Sequence, residues 1–260
     1  MRIAIVSDIH GNLTALEAVI ADLRRQSPDL VLQGGDLPYG GCHGAEVMDR
    51  VAGLGWPGVV GNTDEILWTD DGLTRMKAEA PGLGALLRMI EECAAATRTL
   101  IGGHRLEWLR KLPFEIRQDD LVLLHAGPGD LWKAPMDSAD DERLERVYRP
   151  LQARTVVYCH IHRPFIRELP GLTVCNSGSV GMPYDGDPRA SYLLIQDGRT
   201  EIRRVEYDLR EEERRLLTSD YPFKHWFAEV RARGAYVSPP EHDPAGLKGV
   251  PIQTSNPERH

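Results

Sequence analysis

An α/β fold is predicted by three features of this 260-residue chain. Short runs of Val, Ile and Leu alternate along it with stretches whose apolar residues recur every three or four positions, so strands and helices take turns. That alternation predicts a parallel, doubly wound sheet with right-handed crossovers. Two hairpin-like pairs later in the chain add antiparallel parts, making the sheet mixed. With 42% hydrophobic and 27% charged residues the composition is ordinary for a globular protein able to bury a substantial core.

The first unit reads as a strand over 2–7, a loop over 8–12 and a helix over 13–26. Leu13, Leu16, Val19, Ile20 and Leu23 form the stripe of a helix packed on a sheet. Pro28 ends that helix, and a second buried strand over 29–33 runs into Gly34-Gly35-Asp36. A helix over 45–53 and an apolar strand over 58–60 lead to Gly61-Asn62-Thr63-Asp64. Residues 76–96 are helix-rich and broken at Pro81-Gly82, which predicts two helices, followed by a short helix over 104–111. Runs at 114–117 and 121–124 read as a hairpin whose second strand delivers His125-Ala126-Gly127.

A helix over 137–152 has acids near its start and arginines later, the order that suits the helix dipole. The β-rich run 155–158 delivers Cys159-His160-Ile161-His162, and 172–175 delivers Asn176-Ser177-Gly178-Ser179. Strands over 190–196 and 200–207 flank Asp197-Gly198, a strong hairpin-turn dipeptide. Residues 1–207 thus form the main domain. Residues 208–237 read as a charged helical extension whose Leu209, Leu216, Leu217, Phe223, Trp226, Phe227 and Val230 pack on the domain or meet another subunit, giving a homo-oligomer. The Pro- and polar-rich segment 238–260 is expected to be a loosely held tail.

A net charge of −8 argues against a surface built for nonspecific binding of nucleic acid or anionic membrane. The apolar run after Met1-Arg2 is too short for a signal peptide, and no run approaches a membrane span. Cys42, Cys93, Cys159 and Cys175 form no Cys-x-x-Cys pair, which suits reduced thiols. A cytoplasmic location is expected.

Five apolar runs end in Asp8/His10, Asp36, Asn62, His125 and His160/His162. Side chains at i and i+2 of an extended segment point the same way, so Asp8 and His10 can share one metal. In open α/β sheets ligands bind beyond the carboxyl ends of strands, where residues scattered in sequence converge. Singly, each of these residues reads as a satisfied polar group. Jointly, five strand ends call for one explanation, and seven side chains are enough for two metals with Asp36 as the candidate bridge. Imidazole, carboxylate and amide ligands suit Mn, Fe, Co, Ni or Zn better than Ca or Mg.

The order Asp-x-His, Gly-Gly-Asp, Gly-Asn-x-Asp, His-Ala-Gly and His-x-His resembles the calcineurin-like metallophosphoesterase superfamily. It is most similar to the small bacterial and archaeal phosphodiesterase branch, which shares the Asn176-Ser177-Gly178-Ser179 segment. The resemblance spans roughly residues 1–207 and implies a four-layer α/β/β/α sandwich, two mixed β-sheets flanked by helices, around two divalent transition-metal ions, manganese foremost. Asp8, His10, Asp36 and His162 would bind one metal, and Asp36, Asn62, His125 and His160 the other. A hydroxide bridging such a pair can attack phosphorus in line without a covalent intermediate. Asp8 and Asp36 offset only part of the cationic charge, so the centre can draw in a phosphate despite the acidic chain.

Two departures stand out. Many family members carry a histidine after the asparagine, where it helps protonate the leaving group, and this chain has Thr63 followed by Asp64. Asp64 orients a histidine, acts as an acid or makes structural hydrogen bonds, and joins Asp36, Asn62 and His125 as a catalytic candidate. Cys159 replaces the usual glycine before His160, as a small buried residue or a soft extra ligand. His43 and His104 read as surface or loop histidines, and Asn176-Ser177 as a tight turn beside the site. Tyr39, Trp132 and Tyr184 are candidates to line a cleft for a small phosphoester. The expected activity is hydrolysis of a phosphodiester. The alternatives are a phosphatase for monoesters, phosphoproteins or dinucleoside polyphosphates, and a scaffold that binds protein.

Overall fold

Strand β1 (Arg2–Val6) pairs in parallel with β2 (Leu30–Gln33), with Ile3 opposite Leu30 and Val6 opposite Gln33. The computed structural model describes residues 1–243 of the chain, so 244–260, most of the expected tail, lie outside the described residues. Ahead of them the chain is tied down, Arg88 donating to the Glu241 carbonyl and the Phe223 amide to Asp243.

Between β1 and β2 runs helix α1 (Leu13–Gln26). Asn12 caps it by accepting from the Ala15 amide at 2.9 Å, and Ser27, with φ of 47°, closes it just before Pro28. The other helices are α2 (Gly44–Leu54), the single turn α3 (Asn62–Glu65), α4 (Asp71–Glu79), α5 (Gly84–Leu109), α6 (Asp141–Tyr148), α7 (Leu209–Thr218) and α8 (Lys224–Arg233). The break expected near Pro81 is a 3-10 turn between α4 and α5. The short helix expected over 104–111 follows a break inside α5 at Gly102, whose φ of 69° and ψ of 170° no helix contains. Helix 137–152 shortens to α6 plus a 3-10 turn.

The remaining strands are β3 (Glu115–Gln118), β4 (Leu121–Leu124), β5 (Thr155–Tyr158), β6 (Phe165–Leu169), β7 (Leu172–Asn176), β8 (Ala190–Gln196) and β9 (Arg199–Val205). They do not extend one doubly wound sheet. They form two mixed sheets, one ordered β2-β1-β8-β9 and the other β3-β4-β5-β7-β6. Each strand at a sheet centre is apolar on both faces, because each sheet has a covered side and a side turned to its partner. Ile3, Ile5, Leu32, Leu193 and Ile195 of the first sheet meet Leu121, Leu123, Val157 and Cys175 of the second in the layer between them. Ala4, Val6, Tyr192 and Leu194 pack outward on α1 and its neighbouring helices, while Val122, Leu124, Val156 and Tyr158 pack outward on α6. The result is the four-layer α/β/β/α sandwich.

The run 58–60 is not a strand. Val59 bonds to the Gln33 carbonyl, but the Val60 amide donates to Pro113 instead, so pairing stops after one bridge. Strand β6, unassigned in the sequence, is an edge strand with Arg167 and Glu168 in its middle, which blunts the apolar signal. The extension 208–237 makes two helices, and Leu216, Phe223, Phe227 and Val230 are all buried in the core shared with α1 and α5.

Candidate metal centre

The chain turns abruptly where the strands end. Asp8, His10, Asp36, His160 and His162 all have positive φ, between 50° and 67°, in the left-handed region. For residues other than glycine this conformation costs roughly 1–2 kcal/mol each, a load concentrated on five of the seven predicted ligands. Asp8 and His10 therefore do not converge by extended-strand alternation. They converge because the loop after β1 is coiled, held by bonds from the Asp8, His10 and Gly11 amides to the Gly35, Asp36 and Leu37 carbonyls. The neighbouring turn has no room for a side chain at Gly61, where a Cβ would stand 2.0 Å from Asp36 Oδ1.

These turns aim acceptors at one another. His10, His125 and His162 point Nδ1 at the carbonyls of Tyr39 (2.9 Å), Gly34 (2.7 Å) and Met182 (2.6 Å). A carbonyl only accepts, so each Nδ1 carries a proton; in the neutral tautomer this leaves Nε2 of His10 and His162 bare, while His125 Nε2 faces the Asn62 Oδ1 acceptor. The bare Nε2 atoms of His10 and His162 are 3.1 Å apart, and Asp8 Oδ1 is 3.1 Å from the latter. Both Asp8 oxygens are buried without a hydrogen-bond partner. Asp8, His10, Asp36 and His162 each offer one ligand atom within 4.8 Å of the others. Converging lone pairs with no donor repel unless a cation lies among them, so this donor set fits a metal ion.

A second group adjoins it. Asn62 Oδ1 is 2.9 Å from both His125 Nε2 and His160 Nδ1. Asp36 joins the two groups, with Oδ2 3.6 Å from His10 and Oδ1 3.6 Å from His125. The structure thus brings all seven predicted ligands to one place.

Asp64 sits elsewhere in the chemistry. Its carboxylate accepts from the amides of Asp36 and Gly61 (2.9 Å each) and Leu37 (3.1 Å), and among the described residues it bonds to no histidine. Of the roles open to it, the structure assigns the hydrogen-bonding one: it holds the Asp36 turn. Cys159 packs between the sheets with Sγ 3.6 Å from Ser177 Oγ, and burial pushes its thiol well up, so it lies in the core and outside the acceptor cluster. Asn176 donates to the Cys159 carbonyl, fixing the turn that carries His160.

Sequence reasoning missed two supports. Ser179 donates to the Asp8 carbonyl and accepts from the Met182 amide, bracing the carbonyl that anchors His162. Arg231 of α8 is 2% exposed and pairs with Glu212 of α7, itself 1% exposed. Its guanidinium donates to the carbonyls of His10 (2.8 Å), Gly40 (3.0 Å) and Gly181 (3.2 Å), three loops around the cluster. The adjacent acids and arginines of 208–237 resemble a solvated helix face, and only the apolar spacing around Arg231 hints that it points inward.

The protonation pattern follows from burial. Burial pushes His10 and His160 down to about 3, so both are neutral. Burial opposes the charge on Asp8, but His162 and the other imidazoles hold it below the usual carboxylate range. Asp36 is pushed up to about 7 by burial, with Asp64 and Asp8 nearby adding to the rise against the pull of His125. Burial also works against a charged His125, yet Asp36 and Asp8 outweigh it and raise that histidine.

Over the cluster lies a cavity of about 230 Å³ lined by His10, Asp36, Asn62, His160 and His162. Tyr39, Trp132 and Tyr184 line it as expected, and Thr63 reaches it too, while His43 and His104 do not.

With this geometry in hand, similarity to known proteins is informative. Residues 1–198 match the calcineurin-like phosphoesterase superfamily domain, and the chain belongs to that superfamily. Its fold is that of a crystallised metallophosphoesterase from Sphaerobacter thermophilus, with 24% identity, a TM-score of 0.74, and coverage of 90% of this chain and 99% of that one. A hypothetical protein from Pyrococcus horikoshii shares the fold at 18% identity and a TM-score of 0.77, covering 91% and 99%. An uncharacterized protein of Methanocaldococcus jannaschii is 27% identical over 250 residues, 87% of this chain and 96% of its own. A probable cyclic nucleotide phosphodiesterase of Synechococcus is 28% identical over 185 residues, 65% of this chain and 71% of its own.

Three outcomes are expected. Metal uptake requires Asp36 ionised and the imidazoles neutral, so Mn²⁺ affinity should rise with pH through the region near 7, with net proton release in calorimetric titrations made in buffers of different ionisation enthalpy. Because His10 sits at φ 50°, metal-free His10→Gly should be about 1 kcal/mol more stable to urea than His10→Ala. Arg231→Met leaves Glu212 buried and unpaired and should cost roughly 3–5 kcal/mol in urea unfolding, with Arg231→Met/Glu212→Leu recovering much of it but not the metal affinity.

Proposed function

We propose that this phosphoesterase hydrolyses a phosphodiester at a dinuclear metal centre. The carrying observation is the set of acceptors without donors: two bare Nε2 atoms 3.1 Å apart beside a buried carboxylate with no partner. Bound divalent cations there would supply Lewis acidity toward phosphoryl oxygens and lower the pKa of water. Asp8, His10 and His162 would hold one cation; Asn62, His125 and His160 the other, with Asp36 shared and manganese the first candidate.

The chain's own residues do the rest. The carbonyls of Tyr39, Gly34 and Met182 keep three imidazoles in one tautomer, and Asp64 keeps the Asp36 carboxylate between the two groups. Direct attack by water is the reading that the converging acceptors support, and among the described residues no serine or cysteine lines the cavity. The diester preference draws support from the Synechococcus relative, described as a probable cyclic nucleotide phosphodiesterase.

Protein stripped of metal and reloaded with Mn²⁺, Ni²⁺, Fe²⁺, Co²⁺ or Zn²⁺ should hydrolyse bis(4-nitrophenyl) phosphate faster than 4-nitrophenyl phosphate. His10→Ala and His125→Ala should each lose activity by roughly 100-fold or more. His10→Ala should weaken one of two metal stoichiometries while sparing the other. Inactivity with every metal on both esters would refute the reading.

A further inference from the structure

The cavity over the acceptor cluster is chemically lopsided. Its floor is the ligand set. Much of the rest of its lining is apolar: Met76 from α4, Leu86, Met89 and Ile90 from α5, and Trp226 and Phe227 from α8. An aromatic rim joins the two. Tyr184 stacks on the His162 ring with centroids 4.4 Å apart, Tyr236 meets Tyr184 edge-on at 5.8 Å, and Tyr236 meets Trp226 edge-on at 6.2 Å. Among the described residues no lysine or arginine lines the cavity. Arg231, behind the floor, has its guanidinium committed to three carbonyls and Glu212.

Charge and size then select the occupant. Cations on the floor can neutralise one phosphoryl group, but a second or third phosphate would face methionine, isoleucine and tryptophan with no countercharge, a costly desolvation. A cavity of about 230 Å³ is modest beside the roughly 300–1,000 Å³ of typical ligand sites. An apolar cavity of roughly 150 Å³ already holds benzene, so there is room inside for a phosphoryl group with one small ring, the leaving ester extending out of the open mouth. Methionine and aromatic side chains favour a flat, apolar neighbour.

Resting on the phosphoesterase reading above, we infer that the cavity selects a singly charged phosphodiester with one small, uncharged, apolar or aromatic ester group. That group seats against α4, α5 and α8. Substrates bearing further phosphates are disfavoured.

The test compares phenyl 4-nitrophenyl phosphate with methyl 4-nitrophenyl phosphate on the Mn²⁺-loaded full chain. In both, water oxygen bonds to phosphorus as the bond to 4-nitrophenolate breaks. The phenolate leaves with the electron pair and the water proton goes to solvent, so the ratio of rates reads the spectator ester alone. The expected kcat/KM ratio, phenyl over methyl, is about 30 or more. It should fall below about 5 in Leu86→Ser and Ile90→Ser, both at partly exposed positions that substitution leaves foldable. Calorimetry should likewise show phenylphosphonate binding tighter than methylphosphonate, and the wall variants should erase that difference. Hydrolysis of both esters at similar rates, or faster cleavage of diadenosine tetraphosphate than of the phenyl ester, would overturn the inference and leave the phosphoesterase reading standing. Hydrolysis of neither would overturn both.

Discussion

Too many acceptors and too few protons in one buried place is the constraint on which this molecule turns. His10, His162 and Asp8 bring lone pairs together at 3.1 Å. A cation or an extra proton among them relieves that repulsion. The backbone resists the arrangement as well, since Asp8, His10, Asp36, His160 and His162 all adopt the left-handed conformation that side chains disfavour. Such a cluster persists only where the surroundings leave the chain no alternative, and here two packed sheets between two helical layers supply that rigidity.

The restraint reaches well beyond the ligands. Three imidazoles are oriented by main-chain carbonyls, and those carbonyls belong to loops that are themselves tied, by Ser179 to the Asp8 and Met182 turns and by Arg231 to His10, Gly40 and Gly181. Arg231 lies outside the segment 1–198 that defines the superfamily. The C-terminal helices therefore do two jobs with one surface: α8 braces the floor through Arg231 and contributes Trp226 and Phe227 to the wall. A buried ion pair is poor evidence for stability by itself, but with Glu212 fixing its orientation the guanidinium becomes a rigid three-way donor.

Much of this was legible in the chain. Strand, turn and helix around Asp8 were readable because an apolar run, a capping asparagine and a helical stripe all agree there. The convergence of all seven candidate residues was readable because each closes an apolar run, and polar residues at so many strand ends are improbable without a common purpose. Less legible were features set by long-range contact. The pairing of strands into two sheets depends on which run neighbours which, and periodicity is silent on that. Residues 58–60 carry the right composition for a strand, yet Pro113 captures the Val60 amide. Asp64 is an acid beside a ligand in sequence, and only three amides pointing at it reveal a holding role. Arg231 hides among the charges of an amphipathic helix.

The candidate ligands come from both halves of the sandwich. Asp8, His10 and Asp36 follow β1 and β2 of one sheet, while His125, His160 and His162 follow β4 and β5 of the other. Neither sheet alone holds a complete set, so a cation bound here is a stitch across the seam. It joins segments as far apart in sequence as His10 and His162, and it can be tied only after the two sheets have docked in register. Metal capture is in that sense an inspection of the finished fold, passed only by molecules in which every layer has found its place.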